Sequence, residues 1–291
     1  MTFAMAEKWW LTLGGRVMRD EQTRNFVMQF RGSAIDEQLD EAKTVALPKL
    51  VVQYAVTDST TLAVSGRRGY NAGGGAMALT SAGGDYYYYD DESVDTYELS
   101  SRSSFDGGNV NLNANLFYND YDGYQASNSL RRITNIDQAV TYGLELEFTS
   151  VLGENWQLFS GLGLLQSEIK AADPSYGDIV GNELNAAPNL TANLGIKYWL
   201  SDELTFGLSA NYVDKYFADI ANTEERVAGD YILSRFNVDY QNDNWRISAF
   251  VNNLFDEQAL TVNEPPGRGY EHGYAAVVDP RNVGLSVTYN Y

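Results

Sequence analysis

The 291-residue chain carries a formal net charge of −19 and no cysteine. That excludes disulfides and cysteine-bound metals, and it argues against nucleic acid, which is gripped by clustered Lys and Arg. With 26 Gly, 21 Tyr and 12 Phe against 6 Pro, the composition favours one β-rich unit. No run of about 18 apolar residues occurs, so a transmembrane helix is excluded; a membrane barrel is not, because half of each of its strands is polar.

Met1 to Ala6 is mildly apolar but too short for the core of a signal peptide, and Glu7-Lys8 follows at once. An exported barrel needs such a peptide, so the sequence predicts that the natural N-terminus lies upstream. From there on, period-2 alternation predicts twelve strands. They fall near 9–19, 48–57, 60–72, 92–105, 109–120, 137–151, 156–169, 189–200, 204–215, 231–242, 245–255 and 280–291. The pattern is plainest where Val110, Leu112, Ala114, Leu116 and Tyr118 alternate with Asn109, Asn111, Asn113 and Asn115. It recurs in Val283, Leu285, Val287, Tyr289 and Tyr291 against Gly284, Ser286, Thr288 and Asn290. Segment 24–33 holds Phe26, Val27, Met28 and Phe30. It is assigned to a long outer loop, since a spanning strand there would put the next short turn on the wrong side of the membrane.

Five polar turns punctuate these strands: Asp58-Ser59, Asp106-Gly107-Gly108, Gly153-Glu154-Asn155, Ser201-Asp202-Glu203 and Asn242-Asp243-Asn244. Their centres lie about 48, 48, 48 and 41 residues apart, an interval that fits two strands joined by a long loop at the other end. Short turns on one rim and long loops on the other describe an outer-membrane β-barrel. A soluble β-sandwich also alternates, with its apolar face inward. Tryptophan favours the membrane. Trp9, Trp10, Trp156, Trp199 and Trp245 all lie beside a predicted short turn, as a periplasmic aromatic girdle requires.

Several motifs resemble one family. Asn252-Asn253-Leu254-Phe255-Asp256, followed by Pro280-Arg281-Asn282-Val283-Gly284-Leu285, looks like the C-terminal signature of TonB-dependent outer-membrane receptors. Arg68-Gly69-Tyr70-Asn71-Ala72-Gly73-Gly74 resembles a strand end of that family. Tyr97-Glu98-Leu99, Gly143-Leu144-Glu145-Leu146-Glu147 and Asn185-Ala186-Ala187-Pro188 resemble its strand starts. Ser100 departs from the Gly usual after Tyr-Glu-Leu. The resemblance covers roughly residues 9–291 and implies an all-β fold, an antiparallel transmembrane β-barrel. Family barrels have about 22 strands around a plug domain, so this chain is expected to be the C-terminal part, with about ten strands and the plug missing. It implies a non-enzymatic receptor without a cofactor, in the outer membrane of a Gram-negative bacterium. Its expected partners are outer-membrane lipid, the TonB system acting through the missing plug, the barrel-assembly machinery, and an iron chelate or other small ligand. A self-standing twelve-stranded barrel, either a passive channel or an outer-membrane enzyme, is the alternative.

Candidate site residues are few. Tyr86, Tyr87, Tyr88 and Tyr89, in the loop 73–91, could form an aromatic ligand platform or simply be solvated rings. Tyr289 and Tyr291 resemble the terminal aromatic signal read by the assembly machinery, a role compatible with a girdle. The sole histidine, His272, near Glu271 and Asp279, lacks the nucleophile motif that would make it catalytic. Acids at Asp36, Glu37, Asp40 and Glu41, at Asp90, Asp91 and Glu92, and at Glu224 and Glu225 lack an EF-hand spacing and read as solvated loops. Glu145 and Glu147 alternate with Leu144 and Leu146 and so point into the lumen, where Arg16, Arg102, Lys197, Arg235 and Arg246 are expected to join them.

Overall fold

The computed structural model describes residues 1–30, 32–80, 83–127, 132–264 and 272–291. Its first strands are β1 (Thr2–Ala6), β2 (Trp9–Phe30), β3 (Ser33–Thr57), β4 (Thr60–Asn71), β5 (Gly74–Thr80), β6 (Gly83–Tyr89) and β7 (Glu92–Phe105). The middle strands are β8 (Val110–Ser127), β9 (Ile133–Leu152), β10 (Trp156–Ala171), β11 (Leu190–Trp199), β12 (Leu204–Val213), β13 (Tyr216–Phe217) and β14 (Val227–Ala228). The last are β15 (Tyr231–Gln241), β16 (Trp245–Asn252), β17 (Leu260–Glu264), β18 (Tyr274–Val277) and β19 (Asn282–Tyr289).

Thirteen of these form one antiparallel sheet in the order β1-β2-β3-β4-β7-β8-β9-β10-β11-β12-β15-β16-β19. The other six pair as three two-stranded ribbons, β5-β6, β13-β14 and β17-β18. The sheet thus holds one strand more than predicted. β1 was too short to show alternation, yet it pairs with β2 through Thr2↔Thr12 and Ala4↔Trp10. Glu7-Lys8 forms the intervening turn.

Segment 24–33 is not a loop. β2 and β3 run as one hairpin from Trp9↔Tyr54 to Phe30↔Ser33. A tilted strand crosses a bilayer in about 9–11 residues, and β2 and β3, at 22 and 25 residues, are far longer than that. The expectation of an outer loop at 24–33 is therefore corrected: the segment is the paired, extended tip of the hairpin. Above Lys49↔Arg67 the hairpin leaves its neighbour β4.

The alternation sorts side chains as expected. Val64, Leu116, Leu194 and Leu285 lie on the convex face and are 58%, 50%, 56% and 69% exposed. A soluble sandwich would bury such rows between two sheets; here they stay exposed on one face of a single sheet. The concave face is polar, lined by Gln53, Ser65, Asn113, Asn115 and Asn193 among others. Three tryptophans form the expected outward girdle, each against a tyrosine. Ring centroids are 4.5 Å apart for Trp9–Tyr54, 4.3 Å for Trp156–Tyr198 and 4.8 Å for Trp245–Tyr289. Trp10 and Trp199 keep to the same rim but face inward, opposite Gln53 and beside Asp202 and Asp239 respectively. Adjacent strand residues point to opposite faces, so Trp9 and Trp10 cannot both meet lipid.

Large inward side chains lie over glycines on the neighbouring strand. Phe159 pairs with Gly195, where an added Cβ would sit 2.0 Å from the ring's Cζ. Phe250 lies over Gly284 in the same way. Gly195→Val is expected to evict the Phe159 ring at a cost of about 1–3 kcal/mol. Unchanged urea stability and unchanged solvent quenching of a Phe159→Trp probe in the Gly195→Val background would contradict this packing.

The C-terminal motif has a physical role. Asn253, in the left-handed region at φ 48°, ends β16. Its Nδ2 donates to the carbonyls of Glu257 and Asp279, and its Oδ1 accepts from the Glu257 amide. Asp256 accepts from the Arg281 amide at 3.0 Å. The two residues staple the end of β16 to the start of β19. β1 and β19 are the two edges of the sheet, so residues 280–291 do not pair with 9–19. The closure that a self-standing barrel needs is absent among the described residues.

Candidate ligand-entry site

The concave face forms a polar cleft of about 920 Å³. Glu145 and Glu147 both line it, accepting from Asn115 Nδ2 at 3.3 Å and Asn113 Nδ2 at 3.2 Å. Arg102 lines it too, and the Arg235 guanidinium lies 5.0 Å from the Phe250 ring centre. Register places Arg16, Lys197 and Arg246 on the same face, opposite Leu47, Gln157 and Thr288. Sequence reasoning missed Lys49, Arg67 and Glu98. Glu98 accepts from Ser65 Oγ at 2.9 Å and Arg67 Nη2 at 3.2 Å. The alternating row Ala63, Ser65, Arg67 was the available signal.

At the outer end, the predicted loop 73–91 is the β5-β6 ribbon. One face of the β2-β3 hairpin carries Phe26, Met28, Ile35 and Leu39, the last two buried. The ribbon covers this face: Tyr86 packs on Phe26 at 4.6 Å, and Gly84 abuts Met28 and Ile35. Alternation along β6 divides the four tyrosines. Tyr86 and Tyr88 share a face and meet edge-on at 4.7 Å, and Tyr88 Oη donates to the Gln38 carbonyl while its ring stays half exposed. Tyr87 lies under the Arg132 guanidinium at 5.3 Å, and its hydroxyl accepts from the Ile133 amide. Burial pushes the Tyr86 phenol up to about 12, so it stays neutral at physiological pH.

Two amide side chains hold the base of the ribbon. Asn135 Oδ1 accepts from the Asp90 amide at 2.7 Å, and its Nδ2 donates to the carbonyls of Asp90 and Gly123. Gln125 Nε2 donates to the carbonyls of Ala72 and Asp90. The acids are drawn into the same framework: Lys43 Nζ meets Asp91 at 2.6 Å, and Glu92 accepts from the Gln125 amide at 2.6 Å. Asp36, Glu37, Asp40 and Glu41 lie along β3, and Glu224 and Glu225 in the short turn Glu224–Arg226.

Across the mouth, segment 172–188 folds onto the concave face. Gly123, at φ 67°, breaks the alternation of β8 and brings Tyr121 and Tyr124 edge-on at 5.3 Å. These rings pack against a buried cluster of Ala126, Ile136, Ala139, Ile169, Ile179, Leu184 and Ile220. Ser167 Oγ accepts from the Leu184 amide at 3.0 Å. Segment 172–188 is tied in turn to the next outer segment: Asn182 Nδ2 donates to Ile220 O, and Asn222 Oδ1 accepts from the Glu183 amide. That segment is tied to the third by Arg226, whose guanidinium bridges Asp219 at 3.3 Å and Glu264 at 2.6 Å. The three outer segments thus act as one inward-leaning rim.

His272 is exposed, two residues before β18; Glu271 lies outside the described residues. Tyr289 lies against Trp245 with the rings tilted by 54° and meets Tyr291 edge-on at 5.3 Å, leaving Tyr291 fully exposed.

Residues 1–254 match the family model described as "TonB dependent receptor-like, beta-barrel". Over 214 residues the chain is 26% identical to a probable TonB-dependent siderophore receptor, PiuA, of Acinetobacter baumannii, covering 69% of this chain and 27% of that protein. The structure superposes on the ferric yersiniabactin uptake receptor FyuA of Yersinia pestis with a TM-score of 0.83 at 21% identity. It superposes on the siderophore receptor PiuA with a TM-score of 0.78 at 21% identity. All of this chain is covered in both, but 44% and 42% of those chains, so the chain spans less than half the length of either.

Proposed function

Because the chain belongs to the TonB-dependent receptor-like β-barrel family, a family of receptors and transporters rather than of enzymes, we propose that it forms wall and outer mouth of an outer-membrane receptor. The receptor takes up an iron–siderophore complex, or a similarly scarce nutrient, in a Gram-negative bacterium. One observation carries the reading: the outer segments lean inward over a polar concave face and are cross-tied there, a constricted mouth rather than an open pore. Unpaired strand edges are not tolerated in lipid, so β1 and β19 pair with further strands of a larger barrel. A plug domain occupies the concave face and couples release to TonB. The ligand first meets the aromatic ribbon Tyr86–Tyr89, where the half-exposed Tyr88 ring is the accessible surface. Convex rows contact outer-membrane lipid, and Tyr289 with the exposed Tyr291 is the signal taken by the barrel-assembly machinery.

Deleting the gene is expected to abolish high-affinity uptake of a ferric chelate during iron limitation, and restoring the gene restores it. Inactivating TonB is expected to abolish the same uptake. Flux that persists without TonB would sink this reading in favour of a passive channel.

A further inference from the structure

Under the inward-leaning rim lies a cleft of about 360 Å³. Its floor is the concave face of β8–β11, with Phe117, Tyr121, Thr141 and Glu145; its roof is Asn185-Ala186-Ala187-Pro188. The roof is held in an unusual conformation. Ala186 sits at φ 55°, a region that residues with a Cβ rarely enter, and its amide donates to the Phe217 carbonyl at 2.8 Å. Backbone strain of this kind gathers at ligand clamps. The Asn185 Oδ1 atom is shielded from solvent and has no hydrogen-bond partner. A mostly apolar, aromatic cleft with a few acceptors fits a small ligand.

Its charge is one-sided. Glu145 is the single charged side chain among the lining residues, and no Lys or Arg is among them. Among the described residues, five basic side chains elsewhere toward the outer end are engaged in ion pairs. Lys43 pairs with Asp91, Arg68 with Asp95, Arg132 with Asp85, Lys170 with Glu168, and Arg226 with Asp219 and Glu264. A polyanion entering here would meet the exposed Glu145 carboxylate with no Lys or Arg among the lining residues, within a chain of net charge −19. A cation or a neutral ligand bearing N–H or O–H groups meets an acceptor at Glu145 and aromatic rings at Phe117 and Tyr121.

We infer that this cleft is a selectivity subsite for neutral or cationic ferric chelates, such as hydroxamates with amine or amide arms, and that it rejects polyanionic tricatecholates. The inference rests on the receptor reading above and adds the charge class of its ligand.

The test uses outer-membrane vesicles from cells producing the natural receptor, with three iron-labelled probes. These are ferrioxamine B, a monocation; ferrichrome, neutral; and ferric enterobactin, a trianion. The monocation or the neutral chelate is expected to bind at least about tenfold more tightly than the trianion. Glu145→Lys should narrow that preference by about tenfold or more, and Glu145→Gln should shift it the same way by less, which keeps the test readable if the lysine variant fails to assemble. Tighter binding of the trianion, or a preference unmoved by both variants, overturns the inference while leaving the receptor reading intact. Failure of every probe to bind also overturns the inference, while the dependence of uptake on TonB tests the receptor reading by itself.

Discussion

Leu116→Arg is expected to destabilise the membrane-inserted protein by about 2–4 kcal/mol, whereas Asn115→Arg changes stability little. The two residues are neighbours in β8, but their side chains leave opposite faces. Leu116 is half exposed on the convex surface, where an arginine would have to sit in hydrocarbon or reach for the headgroups. Asn115 points into the polar cleft and already donates to Glu145, so an arginine there gains a carboxylate partner. Urea titration of the receptor in lipid vesicles separates the cases. Similar losses for both variants would mean that the faces have been assigned wrongly.

Arg226→Met is expected to loosen the outer rim by about 3–5 kcal/mol, because it leaves two carboxylates facing each other without their cation. Asp219 is 3% exposed and Arg226 only 12% on its side chain, so water can screen neither well. The Asp219 carboxylate also accepts from the Thr223 amide and hydroxyl, which hold it in place when the arginine is gone. Hydrogen exchange should therefore rise at 219–226 and 260–264, with little change in the amides of β11 and β12. The exposed pair Arg281–Asp256 supplies the control: Arg281→Met should cost less than about 1 kcal/mol. Unaltered exchange in the rim of Arg226→Met would show that the bridge does not hold the segments together.

The amide clamp at the ribbon base is expected to behave similarly on a smaller scale. Asn135→Ala removes three hydrogen bonds to the ribbon base and β8. Each such bond contributes about 0.5–1.5 kcal/mol, so faster exchange of the Tyr86–Tyr89 amides is the expected result. Protection equal to that of the unaltered protein would show that packing of Tyr86 on Phe26 holds the ribbon by itself.

Sequence alone determined the two faces of the sheet. A strand's side-chain period is two whatever surrounds it, so the rows Val110–Tyr118 and Val283–Tyr289 declare their apolar and polar faces locally. The short turns and tryptophans marked one rim for the same reason. What local pattern cannot say is which distant segment covers a face. Phe26 and Met28 read as part of an outer loop, yet a ribbon from 83–89 packs over them with Ile35 and Leu39. Tyr86–Tyr89 look like one platform, yet alternation sends their rings two ways. Arg226 finds Glu264 38 residues onward only because both outer segments lean over the same concave face. The entry cleft likewise joins β8, β9 and the Asn185–Pro188 turn, which no spacing along the chain relates. Facing is set by backbone geometry within a few residues; the mouth is set by contacts between segments far apart in sequence, and only the tertiary structure supplies those.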